Sequence, residues 1–177
     1  MNRLAQQKYT NVAIWLHWII GIALLAQLAL GLFMVEIPKE TPDRAWYFNL
    51  HKSIGVTLSL FILLRIWWRL GHRPPPLDRI IPAWQVVASK ISHWALYLGM
   101  VAMPVTGIIM SSYSKYGVKA WGVQLIAGSD DKGAREFWLE LHELSADILM
   151  AIIAIHIVAA LKHLVVEKNG VFQRILP

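Results

Sequence analysis

Histidine is the side chain through which this sequence could do chemistry, since there are seven of them and no cysteine. His17, His51, His93, His142, His156 and His163 fall in or beside long apolar stretches. His72 lies in a basic link and reads as a solvated residue. An ionisable group at membrane depth is costly, and by default it marks function. The lack of Cys excludes a disulfide framework, a zinc ribbon, a thiolate-held iron–sulfur cluster and a Cys nucleophile. What imidazoles offer instead is metal or haem ligation and proton exchange near neutral pH.

The elements that must position them follow from composition. Of 177 residues, 56% are hydrophobic and 16% charged, against roughly 45–50% and about 25% in soluble domains. Nine tryptophans argue against disorder. The net charge of +6 would suit nucleic acid, but so little polar surface argues against a soluble binder, and no nucleic-acid partner is expected. Basic and greasy together indicate a protein embedded in membrane lipid, with cationic loops toward the cytoplasm.

A spanning helix needs about 20 mostly apolar residues. Four segments qualify, at about 11–35, 49–69, 86–111 and 137–166, so the fold expected is all-α: a four-helix transmembrane bundle, one domain over 1–177. Lys52 and Arg65 flank the short uncharged stretch of the second span and must snorkel. Pro104 is expected to kink the third. Pro38 and Pro42, then Pro74 to Pro76, then Gly117 to Gly133 fall in the links. The first apolar run is too long for a cleaved signal peptide. Ten Lys and Arg lie on the side of the termini and seven on the other, which favours both termini in the cytoplasm.

On this topology the histidines sort into two depths. His142 and His156 are 14 residues apart on the fourth span, about 21 Å along it and within about 40° of one face. His51 is level with His142 on the outer side, and His17 with His156 on the inner side. Two stacked His–His pairs suit two bis-histidine haems. One turn after each comes a small residue, Gly21, Gly55, Ala146 or Ala160, which leaves room for a flat macrocycle on that face. Two other readings compete. Any single histidine could be an interfacial hydrogen-bonding anchor, and a His-lined site could carry a bare metal ion. Transport sites, however, gather their ligands at one midplane locus.

Particular stretches also carry a resemblance. Ile14-Trp15-Leu16-His17-Trp18, Leu50-His51-Lys52-Ser53-Ile54-Gly55, and Leu64-Arg65-Ile66-Trp67-Trp68-Arg69 before Pro74 to Pro76 resemble the bacterial cytochrome b561 family. So do Ser92-His93-Trp94-Ala95-Leu96-Tyr97, Leu141-His142-Glu143, and Ile155-His156-Ile157 with Leu161-Lys162-His163. The resemblance runs in order along nearly the whole chain. It implies a di-haem b protein of the bacterial inner membrane, with two non-covalent haem b groups and His17, His51, His142 and His156 as axial iron ligands. One member of that family oxidises superoxide on the periplasmic side and reduces ubiquinone. Others resemble electron carriers for periplasmic partners, or b-type subunits of hydrogenases.

If this chain is a superoxide:ubiquinone oxidoreductase, its donor site needs cations at the outer haem. Lys52 sits beside the outer ligand; Lys115, Lys119, Lys132 and Arg135 lie in the long outer loop, where they would raise the local anion concentration. The competing reading is that they are solvated loop charges. Quinone reduction needs protons and a polar anchor. His163, seven residues past His156 and within about 20° of its face, and His93, at a similar depth, are expected to form that pocket with Trp18. Alternatively each bonds a haem propionate or a headgroup. Asp147 is expected to be a structural ion partner near the outer interface. An electron conduit without an enzymatic reaction of its own is the reading from a different class.

Overall fold

Each long helix starts and stops on local signals. Thr10 caps the first, its hydroxyl accepting the Ala13 amide at 3.3 Å, and α1 runs Asn11–Glu36 to a stop just before Pro38. The computed structural model describes residues 8–76 and 81–177. Helix α2 spans Arg44–Gly71, and the Arg44 guanidinium ties its start to the end of α1 by donating to the Ile37 carbonyl at 2.9 Å. Helix α3, Ala83–Ser112, follows Pro82 and holds Pro104 inside it. Asp131 caps α4, Lys132–Leu161, by accepting the Ala134 amide at 3.0 Å. A π-helical turn, Lys162–Glu167, continues α4, and a short 3-10 turn, Phe172–Ile175, follows.

All four long helices are apolar enough to cross a membrane. Helices α2 and α4 begin at Arg44 and Lys132 rather than at about 49 and 137. A count of apolar residues cannot see a charged first turn that stands outside the lipid; a helix start is set by its cap.

In the bundle α1 packs on α2, α2 on α3 and α3 on α4. Leu16, Ile20, Leu24 and Leu28 put one face of α1 into the core, where Leu58, Ile62, Met100 and Leu149 meet them. Most large apolar side chains elsewhere point outward, Leu70, Trp94 and Leu98 among them. That is the arrangement for a lipid solvent, in which close packing rather than water exclusion joins helices. Leu149 is fully buried. It lies seven residues from both His142 and His156, roughly 10 Å from each along α4, and it fills a notch at Gly99. A Cβ on Gly99 would stand 2.9 Å from Leu149 Cδ1. Gly99→Ala is therefore expected to destabilise the bundle by about 1–3 kcal/mol through overpacking, read as a lower Tm in detergent.

The two ends of the bundle differ. At one, the segments before α1, after α2 and after α4 are tied together: the Tyr9 amide donates to the Arg174 carbonyl at 3.1 Å, and the Arg174 guanidinium donates to the Pro75 carbonyl. At the other, the expected irregular link contains a β-hairpin, β1 Val118–Ala120 and β2 Val123–Ile126, antiparallel. Its turn residues Trp121 and Gly122 both have positive φ, 52° and 84°, as a two-residue primed turn requires. Trp121 is held there by α2: its amide donates to Ser53 Oγ and its indole to Thr57 Oγ1, both at 2.9 Å.

Candidate functional site

At the hairpin end, His51 of α2 and His142 of α4 face each other with ring centres 6.4 Å apart and planes at 88°. Glycines on the neighbouring helices make the space for them. A Cβ on Gly31 of α1 would lie 3.2 Å from His51 Cε1, and one on Gly107 of α3 would lie 3.0 Å from His142 Cε1. The His142 tautomer follows from its partner. Thr106 Oγ1 donates its one proton to the Ala102 carbonyl at 2.8 Å, so at 3.0 Å from His142 Nδ1 it accepts from Nδ1–H. Nε2 is left with its lone pair.

At the terminal end, His17 of α1 and His156 of α4 have ring centres 6.3 Å apart and planes at 67°. His93 of α3 joins them, 5.6 Å from His156; its Nδ1–H donates to the Ser89 carbonyl at 2.6 Å. Arg65 reaches in from α2, donating to the Ala13 carbonyl at 3.1 Å and standing 3.4 Å from His17 Nδ1.

Metal–imidazole bonds are about 2 Å long, so two imidazoles on opposite sides of one iron have ring centres about 6.4 Å apart. Both pairs match that spacing, and each offers two imidazoles and no thiolate, a donor set that fits b-type haem. A Cβ at Gly21, one turn after His17, would meet only open space, so that face has room for a flat group. Among the described residues no group of three or more His, Asp or Glu side chains is arranged to hold a bare metal ion.

Other residues singled out from sequence have different surroundings. Gly55 opens onto Gln27, whose Nε2 would be 3.2 Å from an added Cβ. Lys52 is half-buried rather than free in solvent, its ammonium donating to the Gly117 carbonyl at 3.3 Å. Trp18 packs its ring 5.4 Å from that of His17 and donates to the Ile175 carbonyl at 2.8 Å. His163 sits in the π-helical turn, where its Nδ1 is 2.8 Å from Glu167 Oε2. Trp18 and His93 are joined through the rings of His17 and His156, while His163 is held by Glu167. The expectation for Asp147 is corrected. Five residues past His142, it is turned about 140° from the interior; it is exposed on α4 and has no ion pair among the described residues.

Several residues at these sites gave no sequence signal. Thr106, Gly31 and Gly107 act across helix contacts that a linear reading cannot see. Glu167 is a hub, accepting from Gln85 of α3 at 2.9 Å and from Lys162 at 2.5 Å. A cavity of about 210 Å³ at the terminal end is lined by Lys8, Arg65, Arg69 and Arg73 together with Trp68 and Tyr97. From sequence Arg65 is expected to snorkel, and Lys8, Arg69 and Arg73 count only toward orientation. Gln27 was legible in principle, as an amide in the middle of an apolar span.

Known proteins place the chain further. The family model for prokaryotic cytochrome b561 matches residues 8–177. The chain is 30% identical to cytochrome b561 homolog 2 of Escherichia coli (strain K12), over 96% of this chain and 92% of that one. It is 26% identical to cytochrome b561 homolog 1 of the same organism, over 96% and 97%. A protein named probable superoxide oxidase CybB, from Yersinia pestis, is 24% identical over 97% of each chain. A match over the described length, on four membrane-crossing helices that carry paired histidines, makes this chain a member of the prokaryotic cytochrome b561 family, a multi-pass inner-membrane protein of electron transfer that binds b-type haem.

Proposed function

We propose that this protein takes electrons from superoxide at the periplasmic face and delivers them to ubiquinone, with both termini in the cytoplasm. His51 and His142 would hold one haem b, and His17 and His156 the other. The observation that carries this reading is the pair of ring separations, 6.4 Å and 6.3 Å, one at each end of α4. Bound haem supplies reversible one-electron chemistry, which lets a one-electron donor be matched to a two-electron acceptor. The chain supplies the rest. At the hairpin end, Lys52 and the exposed Lys115, Lys119, Lys132 and Arg135 draw an anion inward. At the terminal end, His93 and His163 give and take protons for the quinone, and the Glu167 carboxylate, 2.8 Å from His163 Nδ1, orients that ring.

A second reading is favoured by the hairpin itself. Trp121, Val123, Leu125 and Ile126 are exposed on it, and they offer an apolar face to a protein donor. The chain would then be a conduit, or a b-type subunit joining a periplasmic or hydrogenase-type partner to the quinone pool. One experiment separates the readings. Purified protein is expected to show a low-spin b-type spectrum, two haems per chain, rapid reduction by superoxide, and reoxidation by ubiquinone. Reduction by a partner protein but not by superoxide favours the conduit, and a preparation with no Soret band ends both readings.

The glycine seats give a narrower prediction. In Gly31→Ala or Gly107→Ala the new methyl would crowd His51 or His142 by a few tenths of an ångström. The haem at the hairpin end is expected to be lost more readily than the other, as a biphasic loss of absorbance on heating.

A further inference from the structure

Gln27 is an amide buried halfway along α1, 8% exposed, in a span that otherwise presents apolar side chains to the core. Its Nε2 donates to the backbone carbonyl of His51 at 2.7 Å. That contact fixes the amide orientation, since only the NH2 group can donate to a carbonyl. The other end of the amide, Oε1, is buried without a hydrogen-bond partner. So is His51 Nδ1.

The two orphans lie at one helix contact. Gln27 and Gly31 are one turn apart on the same face of α1; Gln27 touches the His51 carbonyl, and Gly31 lies beneath the His51 ring. They are also complementary. When a histidine binds metal through Nε2, Nδ1 carries the proton, and that N–H almost always donates to an oxygen nearby. A carbonyl oxygen such as Gln27 Oε1 is the acceptor it lacks. His142, across the site, already has Thr106 in that place. Gly55 completes the arrangement, because its missing side chain is what admits the Gln27 amide.

We propose that Gln27 is the positioning residue for the outer axial ligand: its Nε2 clamps the His51 backbone, and its Oε1 accepts the His51 Nδ1–H, directly or across one bridging water. It thereby holds the tautomer that leaves Nε2 for iron and sets the electron-donating strength of that imidazole. The inference rests on the haem assignment made above for His51 and His142.

The test is a redox titration of the purified, haem-loaded protein with low-temperature EPR of both haems. Gln27→Glu puts a carboxylate opposite the Nδ1–H, which makes the imidazole a stronger donor and favours ferric iron. Its outer midpoint potential is expected to fall. Gln27→Leu removes the acceptor at similar volume, and the outer potential is expected to rise. Gly55→Ala keeps Gln27 but pushes its amide off the carbonyl, and is expected to move the same signal in the direction of Gln27→Leu. In all three the inner haem keeps its potential and g-values. A merely structural role would lower stability without opposite shifts from Glu and Leu. Two bis-histidine signals that ignore all three variants overturn the Gln27 role and leave the haem assignment standing. Absence of the outer low-spin signal from wild type overturns both. If one variant fails to fold, the other two still decide the sign.

Discussion

Replacing His51 or His142 with alanine is expected to lower the haem content from two per chain to one, and replacing His17 or His156 to do the same at the other end. The reasoning is geometric. Each pair spans the distance that two imidazoles on one iron require, and in each the second histidine comes from a different helix, so no neighbour on the same helix can take over. The two losses should be spectroscopically distinct, because the surroundings differ: Thr106 supports His142, whereas Arg65 stands beside His17. Stability should fall too. A ligand that binds only the native state at a thousandfold above its Kd adds about 4.1 kcal/mol, and losing it lowers Tm by that share. His93 is the discriminating control. It is nearer to the His156 ring than His17 is, at 5.6 Å against 6.3 Å, and its Nε2 carries a free lone pair. His93→Ala is expected to keep both haems. Should it empty the terminal-end site while His17→Ala does not, His93 and His156 are the true pair.

The sequence made the spans and histidine depths legible because both depend on short-range quantities. Apolar run length reports the membrane, and 1.5 Å per residue converts His142 and His156 into two levels. Helix ends were less legible: Lys132, Arg135 and Glu136 are charged, so a hydropathy count skips a turn that Asp131 nucleates. The hairpin was missed because the usual cue at its turn is Asn-Gly or Asp-Gly. Here Trp121 precedes Gly122, and its positive φ is sustained by hydrogen bonds to Ser53 and Thr57. Those partners are more than sixty residues away in the chain. Gly55 shows the same limit. Its spacing from His51 was visible, but the group it makes room for belongs to α1, and only the packing of α1 on α2 identifies it as Gln27.

The two ends of the electron path should separate in stopped-flow absorbance. Lys52→Glu is expected to slow reduction of the bound cofactor by superoxide by about tenfold at low salt, the lower end of what electrostatic steering contributes. Reoxidation by ubiquinone should be unchanged. Because Lys52 also anchors the hairpin through the Gly117 carbonyl, charge and anchoring must be told apart. Lys52→Gln keeps a hydrogen-bond donor and drops the charge, so it should fall between wild type and Lys52→Glu. Screening beyond the Debye length, about 8 Å at physiological ionic strength, should bring all three rates together as salt is raised. An anchoring effect would persist in salt, and Lys52→Glu alone would then stay slow. At the opposite end, His163→Ala and His93→Ala should leave reduction by superoxide intact and slow reoxidation by quinone. Each side chain stands where protons drawn from water would be passed to the quinone, so the defect should deepen as pH rises and those protons become scarce. For His163 the structure adds a partner test: Glu167→Gln removes the carboxylate 2.8 Å from its Nδ1 and should reproduce a milder form of the same pH-dependent defect. If Glu167→Gln slows reoxidation equally at every pH, Glu167 supports the π-helical turn and takes no part in proton supply.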